Sequence, residues 1–310
     1  GVRTVLPAQD PVVYQGQLFV YAPRPAMLRL VAHANAMIAE AFHPLDPQTA
    51  QYEMPVERFV AICALLKPRF IHHPTTIELL QQVVLEYGCD PETTYLDVPR
   101  LRMVTSDGYL TSGVGYAHPP HRDTWYSAPQ QQINWWLPLH DLETEMSMAF
   151  HPAYFERAVK NGSGEFNYYE WNAVGRKDAA QYIQTDTRKQ PKPEEPVTLD
   201  PQVRMVLPAG GVVQFAAAHL HSTVANTSGL TRFSVDFRTL HLPDVVARVG
   251  APNVDNASHG TSLRDFMQVA TLERVSEAVA RSHDDVEAPE EAKVFRPEPA
   301  REPVTARSPR

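Results

Sequence analysis

Between residues 24 and 88 the apolar positions recur at helical spacing. In RPAMLRLVAHANAMIAEAF (24–42) they fall at Met27, Leu30, Val31, Ala34, Ile38 and Phe42, three or four apart, which gathers them on one face of a helix. VERFVAICALL (56–66) repeats the pattern, and its helix is expected to stop before Pro68. TTIELLQQVVLEYG (75–88) opens on threonines able to cap a helix and closes on Gly88, a good residue for the reversal at a helix end. The first hundred residues therefore read as strand-poor and helical, a layer built to pack against a sheet.

After Pro99 the period shortens. RLRMVTS (100–106), QINWWLPLHDL (132–142), SMAFHP (147–152), RMVLPAGGVVQFAAAHLHS (204–222) and TRFSVDFRTLHL (231–242) are short, rich in β-branched and aromatic residues, and separated by Gly, Pro and Asp. Strands without long intervening helices predict an antiparallel sandwich or barrel rather than a doubly wound sheet. Residues 160–200 interrupt the series with aromatics followed by a Pro/Lys/Glu run, and a long loop inside a compact domain is usually functional or disordered. Residues 282–310 are rich in Pro and charge with few apolar positions, so a disordered tail is expected there. The expected organisation is one domain over 1–281, with a helical buttress (1–99) and a β core (100–245) interrupted at 160–200.

Composition narrows the function classes. With 43% apolar and 21% charged residues in 310, the chain reads as soluble and globular. Its formal net charge of −8 offers no basic footprint, which argues against nucleic acid as a partner. No leader pattern stands in residues 1–30, and no apolar run approaches the ~20 residues that span a bilayer, so a cytoplasmic protein without membrane contact is expected. Cys63 and Cys89 are the only cysteines and are expected as buried free thiols of a reducing compartment.

The candidate chemistry begins in HPPHRDTWY (118–126). In His121-Arg122-Asp123 the outer two residues would share one face of an extended strand, so an imidazole nitrogen and a carboxylate oxygen can converge on one ion. Alone, such a tripeptide is most often a solvated strand end. A second imidazole is available in HLHSTVANTSGLTRFSVDFR (219–238), from His221. Two His and one carboxylate form a facial triad that leaves three positions of Fe(II) open. Downstream of His221 stand Asn226, Ser228 and, eleven residues on, Arg232, whose planar fork can grip a carboxylate bidentately. His118 and His219 are rivals for the imidazole positions, and Arg238 is a rival clamp whose plainer reading is a salt bridge to Asp236 or a neighbouring strand.

His-x-Asp followed by His-Ser-x-x-x-Asn-x-Ser-x-x-x-Arg resembles the non-haem Fe(II)/2-oxoglutarate-dependent oxygenases, and within them the phytanoyl-CoA dioxygenase-like group, over residues 100–242. The resemblance implies a mainly β fold with flanking helices, a double-stranded β-helix or cupin-like jelly-roll barrel. It implies Fe(II) held by His121, Asp123 and His221, and 2-oxoglutarate gripped by Arg232, with a hydroxyl from Ser228 or Thr223. Gln132 and Asn134 in QQQINWW (130–136) stand where the family often places an amide against 2-oxoglutarate; the alternative is bonding to neighbouring backbone. Trp125 and Tyr126 are expected to edge a substrate pocket, and His151 to be a substrate contact or structural. Many relatives carry a Gly-Ser-His segment where this chain has AFHPAYF (149–155), so no substrate is inherited. Related halogenases replace the carboxylate ligand with a small residue. Asp123 therefore implies hydroxylation, or desaturation or cyclisation, of a small secondary metabolite, with dioxygen consumed and succinate and CO2 released. Residues 160–200 are a candidate lid. The rival reading is a cupin-like metal protein (hydrolase, isomerase or binder) that does not use 2-oxoglutarate.

Overall fold

A computed structural model describes residues 11–113, 115, 117–176 and 185–297. In chain order the strands are β1 (Phe19–Tyr21), β2 (Thr94–Leu96), β3 (Arg100–Val104), β4 (Ile133–Pro138), β5 (Met148–Phe150), β6 (Val203–Met205), β7 (Val212–Ala216), β8 (His221–Thr223), β9 (Arg232–His241) and β10 (Met267–Gln268). The helices are α1 (Pro25–Phe42), α2 (Val56–His72), α3 (Pro74–Glu86) and the short α4 (Tyr168–Glu170), α5 (Leu242–Ala247) and α6 (Glu277–Ser282).

Each long helix follows from its apolar stripe. In α1, Met27, Leu30, Val31, Ala34, Ile38 and Phe42 are all buried, and Pro25 occupies the first turn, where its missing N–H costs nothing. The second helix does not stop at Pro68 but continues to His72. Proline removes one intrahelical bond, yet Phe70 and Ile71 beyond it are buried, and burying two such side chains is worth about 3–6 kcal/mol together. The cap of α3 is the His73 ring, which accepts from the Thr75 amide at 3.2 Å, rather than a threonine. Gly88 follows its end with φ +82°.

Two antiparallel sheets carry the rest. The larger has the order β1-β7-β4-β9-β2-β10, with β3 also paired to β9, and the smaller has the order β6-β5-β8. His121 forms an isolated bridge with His221, extending the smaller sheet by one rung. The order β3-β9-β4-β7 faces the order His121-β8-β5-β6, and from β3 to β9 the chain passes back and forth between the two sheets except at β5 and β6, which follow each other in the small sheet. This is the winding of a double-stranded β-helix with flanking helices. The outer face of the large sheet (Leu101, Met103, Ile133, Trp135, Leu137, Phe233, Val235, Phe237) packs with α1–α3 in one core. The inner face contributes Trp136, Val213 and Phe215, which meet Met148, Phe150 and Met205 of the small sheet. Strand β9 sends its odd-numbered residues to the helices. By alternation its even ones, Arg232, Ser234, Asp236 and Arg238, point between the sheets. A sandwich interior normally wants apolar residues at such positions, so this polar row marks where the core gives way to a site.

Three strands, β1, β2 and β10, lie outside the expected set. They are two or three residues long and hold their place by pairing, too short to show a period. The expected disordered tail does not hold through residue 297. Ala292 is fully buried against Phe166, Tyr168 and Tyr169, Asp284 pairs with Arg264 at 2.6 Å, and the Phe295 amide donates to Asp265 at 2.7 Å. A few apolar and acidic residues suffice because the 160–176 segment presents an aromatic surface to receive them. The same packing orders 160–176, while 177–184 lie outside the described residues.

Candidate metal centre

The structure brings His121, Asp123 and His221 together, with one ligand atom from each within 4.8 Å of the others. His121 and His221 exchange both backbone bonds, each 3.0 Å, so the two rings start from directly opposed positions, with centroids 4.3 Å apart. Arg122 between the outer residues is extended (φ −111°, ψ 143°), so His121 and Asp123 project to one side. Asp123 then opens a 3-10 turn to Tyr126, and its amide is held by the Ala217 carbonyl at 3.0 Å.

The second atom of each ligand is already taken. His121 Nδ1 donates to the Pro119 carbonyl at 2.8 Å and His221 Nδ1 to the His219 carbonyl at 3.0 Å. Each bond sets the tautomer and leaves the Nε2 lone pair toward the carboxylate. Asp123 Oδ1 lies 3.5 Å from His121 Nε2 and 3.8 Å from His221 Nε2. Its Oδ2 accepts from Asn134 Nδ2 at 2.8 Å, with Gln132 Nε2 at 3.4 Å and Arg238 at 3.8 Å. Burial pushes the Asp123 pKa up, but the neighbouring His121 and His221 rings and the Arg238 guanidinium outweigh it and hold it well below the carboxylate range. Burial and the neighbouring His121 push His221 down to about 3, so its ring is neutral at pH 7. The His121 and Asp123 side chains remain 14% and 15% exposed, so the centre is recessed but open. Two imidazole nitrogens and one carboxylate oxygen, pre-turned and otherwise unoccupied, are a donor set that fits Fe(II).

Other expected residues divide. Asn134 and Gln132 do not stand free for a co-substrate. Asn134 Oδ1 accepts from Gln132 Nε2 at 2.8 Å, and both amide nitrogens point at Asp123, because strand alternation puts them on its side of β4. Ser228 is not beside Arg232. Its hydroxyl bonds Asn226 Oδ1 at 2.7 Å and accepts from the Leu230 amide at 3.2 Å, which fixes the turn into β9. Thr223 lies two residues beyond His221 on β8 and faces the same way. Trp125 is not at a pocket rim; it is fully buried with Tyr154, Val159 and Leu220, since the 3-10 turn carries it behind the ligands. Tyr126 stays close, edge-on to His121 at 5.8 Å and to Phe166 at 5.3 Å. His151 faces away, with Nε2 on Ser222 Oγ at 3.0 Å and Nδ1 on the Leu199 carbonyl at 3.3 Å. His219 is held at the Gly16 carbonyl by Nε2 (2.7 Å), and the His118 ring centroid lies 5.7 Å from that of His121.

Arg232 is buried on the inner face. Its NH1 reaches the Met146 carbonyl at 3.3 Å, its Nε has no partner, and it joins no ion pair among the described residues. Ser234 Oγ, two residues on, is also buried without a partner. Arg238 is already engaged, with Asp97 at 3.4 Å and Asp236 at 3.3 Å. Ser234 stands outside the residues singled out from the sequence, although the alternation in TRFSVDFR points it inward. A separate polar cavity of about 490 Å³, lined by Ser127, Gln130, Asn253 and His283 among others, does not include the three clustered ligands.

No protein-family model matches the chain, and no curated protein does. Among solved structures the chain is similar to the apo form of the non-heme monooxygenase ThoJ, with 13% identity over 87% of this chain and 86% of that one and a TM-score of 0.43. It is similar to EvdO2 from Micromonospora carbonacea var. aurantiaca, with 14% identity, 76% and 92% coverage and a TM-score of 0.42. It is also similar to the non-heme alpha ketoglutarate dependent epimerase SnoN from nogalamycin biosynthesis, with 15% identity, 75% and 82% coverage and a TM-score of 0.38. Similarity of this depth assigns neither a reaction nor a substrate.

Proposed function

We propose that this chain is an Fe(II)- and 2-oxoglutarate-dependent oxygenase acting on a C–H bond of a small organic metabolite. The observation that carries the reading is the convergence of His121 Nε2, His221 Nε2 and Asp123 Oδ1 while the protein occupies the remaining polar atom of each side chain. Bound Fe(II) supplies, with dioxygen and 2-oxoglutarate, the oxidising power to hydroxylate, desaturate or cyclise the substrate, releasing succinate and CO2.

The chain's own residues bind and orient. His121, His221 and Asp123 hold the ion, and Asn134 and Gln132 keep Asp123 turned toward it. Arg232 receives the distal carboxylate of 2-oxoglutarate, and the unpartnered Arg232 Nε and Ser234 Oγ on one face of β9 support this. A buried guanidinium without a carboxylate is costly, and a bound dicarboxylate would relieve it. Thr223, two residues beyond His221 on β8, offers a further hydroxyl to the co-substrate. Tyr126 connects the His121 ring to residues 160–176 through Phe166 and to residues 185–200 through its hydroxyl on the Pro191 carbonyl at 3.4 Å; these two stretches act as a roof excluding water during turnover. No helix among the described residues is long and apolar enough to cross a membrane, and a cytoplasmic location is proposed.

Anaerobic addition of 2-oxoglutarate to the Fe(II)-loaded protein should produce a weak visible charge-transfer band. Absence of the band, together with no uncoupled succinate formation in air, would refute the oxygenase reading in favour of a metal protein that does not use 2-oxoglutarate. Succinate release across a metabolite panel, followed by product mass, would then identify the substrate: one added oxygen means hydroxylation, and two lost hydrogens mean desaturation or ring closure.

A further inference from the structure

Arg122 lies between two of the proposed ligands and points the opposite way into the protein, 1% exposed. Its NH1 donates to the Ala218 carbonyl at 2.6 Å, its NH2 to the Tyr154 and Arg157 carbonyls at 2.7 and 2.9 Å, and its Nε to Asp255 Oδ2 at 3.0 Å. The Asp255 side chain is 5% exposed. It accepts from Trp125 Nε1 at 2.8 Å through Oδ1 and from the Val159 amide at 2.9 Å through Oδ2. Its backbone carbonyl takes Asn161 Nδ2 at 2.9 Å.

One carboxylate thus grips the metal loop at two points, on either side of Asp123. Through Arg122 it also reaches the Ala217–Ala218 turn that leads into His221, the turn whose Ala217 carbonyl accepts the Asp123 amide. These bonds cross-brace the His121–Asp123 loop and the His221 turn from behind. We infer that Asp255 is a positioning residue for the metal centre, holding Asp123 and His121 in register with His221 through Arg122 and Trp125. The inference rests on the triad being a metal site, and it adds a determinant remote from the metal face. Removing the carboxylate leaves the Arg122 charge buried without its counter-ion and frees the indole N–H, so the loop can rotate and Asp123 Oδ1 loses its aim. Partners behind a ligand shell typically govern metal affinity by about 10–100-fold.

The test is Co(II) titration of the full-length, metal-free protein without oxygen, read by the visible bands of the bound ion, with near-ultraviolet circular dichroism confirming the fold. Asp255→Asn should weaken Co(II) binding about 10–100-fold and alter the band pattern. Asp284→Asn breaks the Arg264 pair elsewhere and controls for general destabilisation; it should bind Co(II) as the wild type does. If Asp255→Asn does not fold, Trp125→Phe, which removes the indole N–H and its Oδ1 bond and leaves a smaller aromatic ring in the same place, should still weaken binding several-fold. Unchanged affinity and spectrum in the folded variant, beside normal wild-type binding, overturns the positioning role alone. A wild-type protein that takes up no Co(II) overturns the metal-site reading itself.

Discussion

Replacing Arg232 with Met should stabilise the ligand-free protein while abolishing its response to 2-oxoglutarate. Burial pulls the guanidinium from 12.5 down to about 10. At 1.36 kcal/mol per pH unit, the charged form is held about 3 kcal/mol less well than in water. The charge persists at neutral pH in both folded and unfolded chains, so the folded state carries that cost throughout. Met fills most of the same volume without it. The losses are a long bond to the Met146 carbonyl and the stacking over Trp136 at 5.3 Å, worth up to ~2 kcal/mol when desolvated. The net expectation is a gain of about 1 kcal/mol. Urea unfolding of the metal-loaded protein under nitrogen checks it, with and without 2-oxoglutarate. At one hundred times its dissociation constant the co-substrate should add about 2.7 kcal/mol to the wild type and nothing to the variant. A ligand-free variant less stable than the wild type would show that Arg232 is satisfied in a way its orphaned Nε contradicts, and the cradle argument would fall.

Other expectations follow from groups outside the centre. Burial pushes His219 down to about 4, so the folded ring is neutral while the unfolded one takes a proton below its ordinary value. The stability this contributes is present above pH 6.5 and lost as pH falls through 6.5 towards 4, about 3 kcal/mol in full; unfolding midpoints at pH 7 and pH 4 should show a smaller acid loss in His219→Gln. Ser228→Ala should cost about 1 kcal/mol of stability from the turn and leave 2-oxoglutarate affinity unchanged, and a several-fold rise in co-substrate KM would contradict its placement. Cys63 and Cys89 are free and buried, each thiol pushed up to about 12 by burial, so a thiol reagent at pH 8 should label neither until the protein is unfolded.

What could be read in the sequence was whatever has a period or a fixed local spacing. The stripe in α1 and the alternation in β4 and β9 declare their buried faces, and His-x-Asp with a later His-Ser places three ligand types whose convergence then follows from the two-sheet winding. Direction within an irregular turn could not be read. Trp125 and Tyr126 are neighbours in a 3-10 turn, yet one enters a satellite core and the other touches His121. Alternation puts Gln132 and Asn134 on one face, but whether an inward amide meets a ligand or a carboxylate depends on how far Asp123 projects. Asp255 carried no signal, because its partners lie 130 residues or more before it on the metal loop. The ordered C-terminal segment is illegible for a related reason: its composition is that of a tail, and only the aromatic surface of 160–176 gives it something to pack on.

The paired backbone bonds between His121 and His221 carry a kinetic consequence. Both amides are spent inside a two-bond ring of the small sheet, so the two backbones cannot separate without opening that rung. Hydrogen exchange at these amides should therefore report the opening of that rung, the step that must come before His121 and His221 can part at the backbone.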